Sequence, residues 1–216
     1  MKKKVAIIGA GISGLVLGNL LRKNSKYQYV IYEKNNFFNL EENYGLQLSP
    51  NSVSILNTVD FQDFGIDEKY NPEKIDFYAL NNNHKICDLD ITQFNYEDVN
   101  YTSLKRSSLI RFLSEKLFSN AIQFNKVIKK INCSESKIEI LFQDNSFDIV
   151  DYLVISDGIF SPTKSILFKK NIKANYTGSL AIRGILKKEN FHFFDKKNIS
   201  ILFGPNFHLV TYPINK

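Results

Sequence analysis

The beginning of the chain alternates between short apolar runs and polar breaks. Residues 4–8 are mostly β-branched and too few for a helix, which indicates a buried strand. Residues 12–23 carry leucines at near-helical spacing and predict a helix, and residues 28–32 predict a second strand. A strand, a turn, a helix and a strand within roughly thirty residues are typical of a βαβ unit.

The rest of the chain predicts further short strands and three more helices. Residues 74–91 predict a hairpin that turns at residues 81–83. Single strands are predicted, in chain order, at residues 121–131, 136–143, 146–155, 178–187, 199–203 and 207–214. Helices are predicted from Pro50 onward, over residues 107–118 with Ser107 or Ser108 as the cap, and over residues 161–168. This mixture indicates the α/β class.

Gly9, Gly11 and Gly14 form a G-x-G-x-x-G pattern between the first predicted strand and the first predicted helix. Gly9 permits a tight turn, Gly11 lets a pyrophosphate approach the backbone, and Gly14 allows helix and strand to pack closely. We expect the free N–H groups of Ile12 and Ser13, at the start of the helix, to face the diphosphate. The pattern predicts a dinucleotide site.

An acidic residue completes this fingerprint. Glu33 stands nineteen positions after Gly14, at the end of the second predicted strand, where a carboxylate accepts hydrogen bonds from the adenosine ribose. Its charge disfavours a ribose phosphate and therefore NADP. The alternative interpretation is a tight strand-to-helix turn with a surface carboxylate. The fingerprint by itself does not choose between FAD and NAD.

Four further segments resemble those of class A flavoprotein monooxygenases, in the same order along the chain. Residues 45–51 resemble the G-x-x-L-x-P-N loop of that family, and Arg106 begins an R-x-x-L segment. Residues 151–158 resemble the segment that ends in Asp-Gly, and residues 176–184 resemble the Y-T-G…A-x-R-G stretch. The chain is similar to para-hydroxybenzoate, salicylate, urate and ubiquinone-pathway hydroxylases over essentially its whole length.

The resemblance implies an α/β fold with a Rossmann-like FAD-binding domain in three layers. A mainly antiparallel β substrate domain is inserted into it, as in para-hydroxybenzoate hydroxylase. The implied FAD-binding domain comprises residues 1–73 and 101–170, and the substrate domain comprises residues 74–100 and 171–216. The second flavin motif of the family, a Gly-Asp segment, lies beyond this chain, so we expect a C-terminally incomplete fragment.

The resemblance also implies cofactor contacts. Glu33, Arg106 and Asp157 are implied to contact FAD. Lys34 takes the place of an arginine common in the family, and the backbone of Val127 is implied to meet the adenine. Other interpretations stay open: a surface ion pair for Arg106, a helix N-terminal cap for Asp157, and plain core for Val127.

The implied activity is FAD-dependent monooxygenation. NADH or NADPH reduces the flavin, oxygen adds to give a flavin hydroperoxide, and one oxygen atom passes to an aromatic or related ring. No side chain is needed as a nucleophile, so no catalytic residue is assigned. The alternatives are a non-oxygenating flavoprotein reductase and an incomplete, inactive FAD-binding fragment. Arg183 either meets a substrate carboxylate or faces outward from a sheet.

The resemblance implies a small aromatic substrate and oxygen as partners, and composition bears on the other partner classes. The net charge is +6, but the lysines are scattered, so no nucleic-acid role is expected. Cys87 and Cys133 are predicted as small core residues in a reducing cytoplasm, and no metal site is expected. His84, His192 and His208 are isolated and predicted on the surface or on strands. No transmembrane segment is predicted, whereas peripheral membrane contact and the oligomeric state stay open.

Overall fold

The structure is a computed structural model that describes residues 2–38, 40, 44–187 and 195–216, so His192 lies outside the described residues. The helices, in chain order, are α1 (Ile12–Arg22), α2 (Pro50–Asn57), α3 (Arg106–Glu115) and α4 (Pro162–Phe168). The strands, in chain order, are β1 (Lys3–Ile8), β2 (Tyr27–Tyr32), β3 (Gly45–Leu48), β4 (Lys69–Tyr70), β5 (Lys74–Ala79), β6 (His84–Asp90), β7 (Thr102–Lys105), β8 (Ile122–Gln123), β9 (Ile128–Cys133), β10 (Ile138–Phe142), β11 (Phe147–Val150), β12 (Tyr152–Ile155), β13 (Ile199–Phe203) and β14 (His208–Thr211).

The chain divides into two compact units. The first comprises residues 1–39 and 110–181, and the second comprises residues 40–109 and 182–216. The domain boundaries expected from the sequence stay a prediction.

The first unit is built on a parallel sheet with the strand order β12-β1-β2-β8. The central strand β1 is buried from Val5 to Ile8, because it has a neighbouring strand on each side and α1 packs on the sheet. At the carboxyl end, Ile8 lies opposite Ile155 of β12 and Tyr32 of β2. The predicted βαβ unit is confirmed as β1, α1 and β2, and β1, β2 and β12 end at the same edge of the sheet.

An antiparallel sheet with the order β11-β10-β9 forms the next layer of this unit. Buried side chains from both sheets make one cluster, which consists of Ala6, Ile8, Val30, Tyr32, Ile128, Ile131, Ile140, Phe142 and Val150. Helix, parallel sheet and antiparallel sheet therefore form the three layers that the resemblance implies.

The second unit contains two further sheets. One has the order β14-β13-β5-β6, in which β13 is parallel to β5 and antiparallel to β14, and the other has the order β3-β7-β4. The predicted hairpin at residues 74–91 is confirmed as β5 and β6. The short strands β3, β4 and β7 are not predicted from the sequence.

Several local predictions are wrong. Residues 171–187 form neither helix nor strand and are exposed, so the predicted strand at residues 178–187 does not form. Helix α3 begins at Arg106, which places Ser107 and Ser108 inside its first turn rather than at the cap. The two cysteines, Cys87 and Cys133, are free and exposed rather than core residues.

A buried asparagine joins α1 to the part of α3 that lies in the first unit. Asn19 is fully buried, and its Nδ2 donates to the Leu15 carbonyl at 2.9 Å and to the Leu113 carbonyl of α3 at 2.8 Å. The apolar spacing of α1 gives no indication of this contact, because the pattern counts only hydrophobic residues.

We expect Asn19→Ala to lower the free energy of unfolding by about 1–3 kcal/mol, because it leaves a cavity and removes two buried hydrogen bonds. Chemical denaturation measures this change. The exposed Asn36 offers a matched control, and Asn36→Ala should change stability by less than about 0.5 kcal/mol. Equal stability of the two variants would contradict a stabilising role for the buried hydrogen bonds of Asn19.

Candidate dinucleotide-binding site

The glycine turn after β1 has no room for side chains at two of its three glycines. Gly9 has a φ of +99°, and a Cβ there would lie 2.7 Å from the Ser156 carbonyl oxygen. A Cβ on Gly14 would lie 2.1 Å from the Gly9 carbonyl oxygen. At Gly11, by contrast, a Cβ would meet nothing within 4 Å. Gly9 and Gly14 are thus required by packing, whereas Gly11 borders open space.

The first turn of α1 faces this open space with unused N–H groups. Gly11 is the N-cap, and the first bond of the helix runs from the Leu15 N–H to the Gly11 carbonyl at 2.9 Å. The N–H groups of Ile12 and Ser13 therefore lack an acceptor within the helix. Among the described residues no side chain caps α1, and its first turn carries no acidic residue. The helix dipole favours an anion at this position.

Glu33 follows β2 and is held by backbone groups on both carboxylate oxygens. Its Oε2 accepts the Ala10 N–H at 2.9 Å, and its Oε1 accepts the Asn35 N–H at 3.0 Å. A carboxylate offers about four lone-pair sites, so each oxygen can accept a further donor. The bond to Ala10 fixes the carboxylate against the glycine turn, and its contact with a ribose stays a prediction.

Two further predicted contacts, Lys34 and Val127, belong to backbone segments that lie close to Glu33. Lys34 is exposed and follows it directly. The Lys126 N–H donates to the Glu33 carbonyl at 2.9 Å, which brings the neighbouring Val127 beside the end of β2. Val127 is half-buried, and its carbonyl accepts the Gln143 N–H at 2.9 Å. A contact of either residue with an adenosine stays a prediction.

Asp157 follows β12 and uses one carboxylate oxygen within the fold. Its Oδ2 accepts the Thr163 hydroxyl at 2.6 Å and the Thr163 N–H at 3.4 Å, in the first turn of α4. Its Oδ1 is buried and has no partner among the described residues. A buried, unpaired carboxylate oxygen is costly and suggests an absent donor such as a hydroxyl.

Ser156 is a site residue that the motif did not identify. Its hydroxyl donates to the Ile8 carbonyl at 2.8 Å and approaches the Gly9 carbonyl at 3.2 Å. A serine directly before the Asp-Gly pair is the only sequence signal for this role. The bond ties the end of β12 to the glycine turn.

All predicted site residues other than Arg106 lie in the first unit. They come together because β1, β2 and β12 end at one edge, and a nucleotide binds at the carboxyl ends of parallel strands. An open cradle at Gly11, free helix N–H groups and the unpaired oxygen of Asp157 all fit a dinucleotide. Among the described residues there is no group of three His, Cys, Asp or Glu side chains that fits a metal ion.

Arg106 lies in the second unit, at the start of α3. Its N–H donates to the Tyr44 carbonyl at 2.9 Å, and its guanidinium carbon lies 5.7 Å from the centre of the Tyr44 ring. The guanidinium carbon of Arg183 lies 5.0 Å from the centre of the same ring. A cofactor contact of Arg106 stays a prediction.

A hydrogen-bonded group of neutral side chains lies in the same unit. The Tyr101 hydroxyl donates to Gln47 Oε1 at 2.8 Å, and the Gln47 side chain also helps to lower the pKa of the Tyr212 hydroxyl. Burial raises the pKa of Tyr101. Burial also raises the pKa of Tyr212, against the opposing charge of Arg183. Both phenols therefore stay protonated at neutral pH.

Known proteins match the chain both at the glycine turn and over nearly its whole length. The family model of the NAD(P)-binding Rossmann-like domain matches residues 7–38. The salicylate hydroxylase of Pseudomonas putida is 25% identical over 234 residues, which cover 99% of this chain and 52% of that enzyme. At 20–26% identity the chain is also similar to three enzymes named as monooxygenases, one of them as FAD-dependent. It spans about half the length of the curated monooxygenases that it matches.

Two solved structures share the fold. A salicylate hydroxylase–substrate complex matches with a TM-score of 0.80 and 16% identity, over 99% of this chain and 53% of that chain. The HpxO protein of Klebsiella pneumoniae, solved with FAD and uric acid, matches with a TM-score of 0.78 and 16% identity, over 98% of this chain and 53% of that chain. The predicted α/β fold is confirmed. In the described part of the chain, no helix is long and apolar enough to cross a membrane.

We expect substitutions at two glycines of the turn to separate binding from folding. Gly11→Ala fills the open space and should weaken binding of an adenine dinucleotide by about ten-fold or more with little change in melting temperature. Gly14→Ala forces the turn apart and should cost about 3 kcal/mol or more of stability. Calorimetric titration and thermal unfolding measure the two effects. An unchanged dissociation constant in Gly11→Ala would contradict the inference that the dinucleotide approaches the backbone at Gly11.

A matched pair of glycines tests the packing in the second unit. A Cβ on Gly45 would lie 2.7 Å from Tyr212 Cε2, whereas a Cβ on Gly184 would meet nothing within 4 Å. We expect Gly45→Ala to reduce the free energy of unfolding by about 1–3 kcal/mol and Gly184→Ala to leave it nearly unchanged. Denaturant titration of both variants checks the difference, and equal effects would show that Tyr212 does not pack on β3.

Proposed function

We propose that this chain binds FAD at the glycine turn and that the complete protein is an NAD(P)H-dependent flavin monooxygenase. Its substrate is a small aromatic or related ring, and oxygen is the second substrate. Because the chain spans about half of its curated relatives, the activity belongs to the whole protein.

One observation carries the proposal: three polar elements gather at the carboxyl edge of the parallel sheet. The glycine turn follows β1, Glu33 follows β2, and Asp157 follows β12. They supply, in that order, donors for a diphosphate, acceptors for a ribose, and an unpaired oxygen for a further hydroxyl. The sequence relationship to flavin monooxygenases favours FAD over NAD at this edge.

Each residue has a proposed role in holding the cofactor. The N–H groups of Ile12 and Ser13 bind the diphosphate, and Gly11 keeps the approach open. Glu33 accepts from the adenosine ribose, with Lys34 and the backbone of Val127 beside the adenosine. Arg106 and Asp157 contact the remainder of FAD.

Bound FAD would supply the redox chemistry: with electrons from NADH or NADPH, one atom of O2 would enter the ring and the other would leave as water. The side chains of this chain bind and orient the cofactor and the substrate, and none is assigned as a nucleophile. Residues 1–73 and 101–170 are the proposed FAD-binding domain, and residues 74–100 and 171–216 are part of the proposed substrate domain. A cytoplasmic location is proposed, which agrees with two free cysteines.

A visible absorption spectrum after gel filtration with added FAD tests the proposal. We expect flavin bands to elute with the protein. Asp157→Asn replaces the unpaired acceptor by a donor and should weaken FAD binding by about ten-fold or more. Thr163→Val removes only the hydroxyl on the other oxygen, so it should retain FAD.

Two outcomes would count against this function. A folded protein that takes up no FAD would contradict the cofactor assignment. FAD affinity that falls in Thr163→Val but not in Asp157→Asn would mean that Asp157 acts only as a cap for α4.

A further inference from the structure

Lysines that are scattered in the sequence lie together at the amino-terminal edge of the parallel sheet in the first unit. This lysine patch consists of Lys2, Lys3, Lys26 and Lys137, which are all exposed. Lys3 begins β1, and its N–H donates to the Lys26 carbonyl at 3.1 Å, directly before β2. An open groove of about 570 Å³ runs between these segments, lined by Lys2, Lys3, Ser25, Lys26 and Tyr27.

A single carboxylate joins Lys137 to the patch and offsets only part of its charge. The ammonium groups of Lys3 and Lys137 lie 3.2 Å and 3.0 Å from the same oxygen of Asp151. The Asp151 side chain is only 10% exposed. The Lys4 N–H and the two ammonium groups hold its pKa well below the usual range, so it is ionised but recessed.

The other two lysines of the patch keep their charge. In the part of the chain that the structure describes, no carboxylate forms an ion pair with Lys2 or Lys26. The patch is therefore positively charged in excess, and its ammonium groups are more accessible than the one carboxylate among them. Such a surface attracts an anionic partner.

Two tyrosines border the patch and indicate which anionic partner fits. Tyr27 follows Lys26 and is partly buried, and Tyr152, the first residue of β12, is 50% exposed. Their rings meet edge to face, with centroids 6.5 Å apart. Tyrosine is enriched where proteins meet the membrane–water interface, and lysine can extend its ammonium group from an apolar stem to the headgroups.

The patch and the candidate dinucleotide site lie at opposite edges of the same sheet. The six residues of β1 separate them by roughly 20 Å. A surface that covers the patch therefore leaves the glycine turn open. A nucleic-acid duplex is a weaker fit, because its binding proteins neutralise about six to ten phosphates, which is more than four lysines can contact.

We propose that the lysine patch docks the first unit on the anionic surface of a lipid bilayer, with Tyr27 and Tyr152 at the level of the headgroups. The contact is peripheral and electrostatic. It goes beyond the proposed flavin chemistry and does not depend on a bound cofactor.

Co-flotation of the 216-residue chain with phosphatidylcholine vesicles, with and without phosphatidylserine, tests the inference. We expect binding only to the vesicles that contain phosphatidylserine. Binding should be lost between about 0.1 M and about 1 M salt, because the Debye length falls from about 10 Å to about 3 Å.

A pair of matched double variants locates the contact. Lys2→Gln combined with Lys26→Gln should weaken vesicle binding by about 25-fold, or about five-fold for each lysine. The control combines Lys129→Gln with Lys130→Gln, two exposed lysines on β9, and should bind vesicles as the parent chain does. All of these proteins should keep the parent melting temperature and the parent affinity for FAD, because the four lysines lie outside the dinucleotide site.

Four results would overturn the inference. They are equal binding to neutral vesicles, vesicle binding that survives high salt, and an equal loss in the control and in the patch variant. The fourth is tighter binding to a DNA duplex than to the vesicles, lost with Lys2 and Lys26, which would assign the patch to nucleic acid. A chain that binds vesicles through the patch but takes up no FAD contradicts only the proposed function.

Discussion

The first unit depends on the close contact between the end of β1, the start of α1 and the end of β12. A Cβ on Gly14 would lie 2.1 Å from the Gly9 oxygen and 2.9 Å from the Ser156 hydroxyl oxygen, so helix and strands pack with no side chain between them. Glu33 and Ser156 hold the turn from two sides through hydrogen bonds. Because the turn is fixed by packing, the helix N–H groups are oriented before any ligand arrives, which reduces the ordering cost of binding.

The elements of this unit that were predicted correctly are marked by patterns in the nearby sequence. Residues 4–32 show a strand, a glycine turn, a helix and a strand in order, and Pro162 stands at the first turn of α4, where proline is favoured. Residues 146–155 were predicted as one strand but form β11 and β12 in two sheets. Asp151 stands between them, and its carboxylate accepts the Lys4 N–H at 2.7 Å. That long-range bond, which also holds the pKa of Asp151 well below its usual range, has no local pattern.

The later part of the chain and the second unit show why apolar composition alone is a poor guide to burial. Residues 178–187 alternate and contain large apolar side chains, yet Ile182 is 92% exposed and no strand forms. A strand needs a partner for its backbone, and alternation does not supply one. Cys87 lies on β6 at the edge of its sheet, where every residue of the strand is exposed. Conversely, β4 has two residues and exists through its pairing with β7.

The site residues that sequence reasoning selected often serve the fold and the candidate site together. For Asp157 the sequence left two interpretations, a cap for a helix and a cofactor contact, as if one excluded the other. The carboxylate has two oxygens: Oδ2 bonds Thr163 in the first turn of α4, whose N-cap is Ser161, while Oδ1 stays buried and has no partner among the described residues. Each oxygen of Glu33 likewise accepts one backbone N–H group and keeps a lone pair that a ligand could use. A motif identifies such a residue, but only the structure shows which donor each of its oxygens binds. For this reason a substitution that replaces one carboxylate oxygen with an NH2 group, as Asp→Asn does, is more informative here than a substitution by alanine, which removes both roles at once.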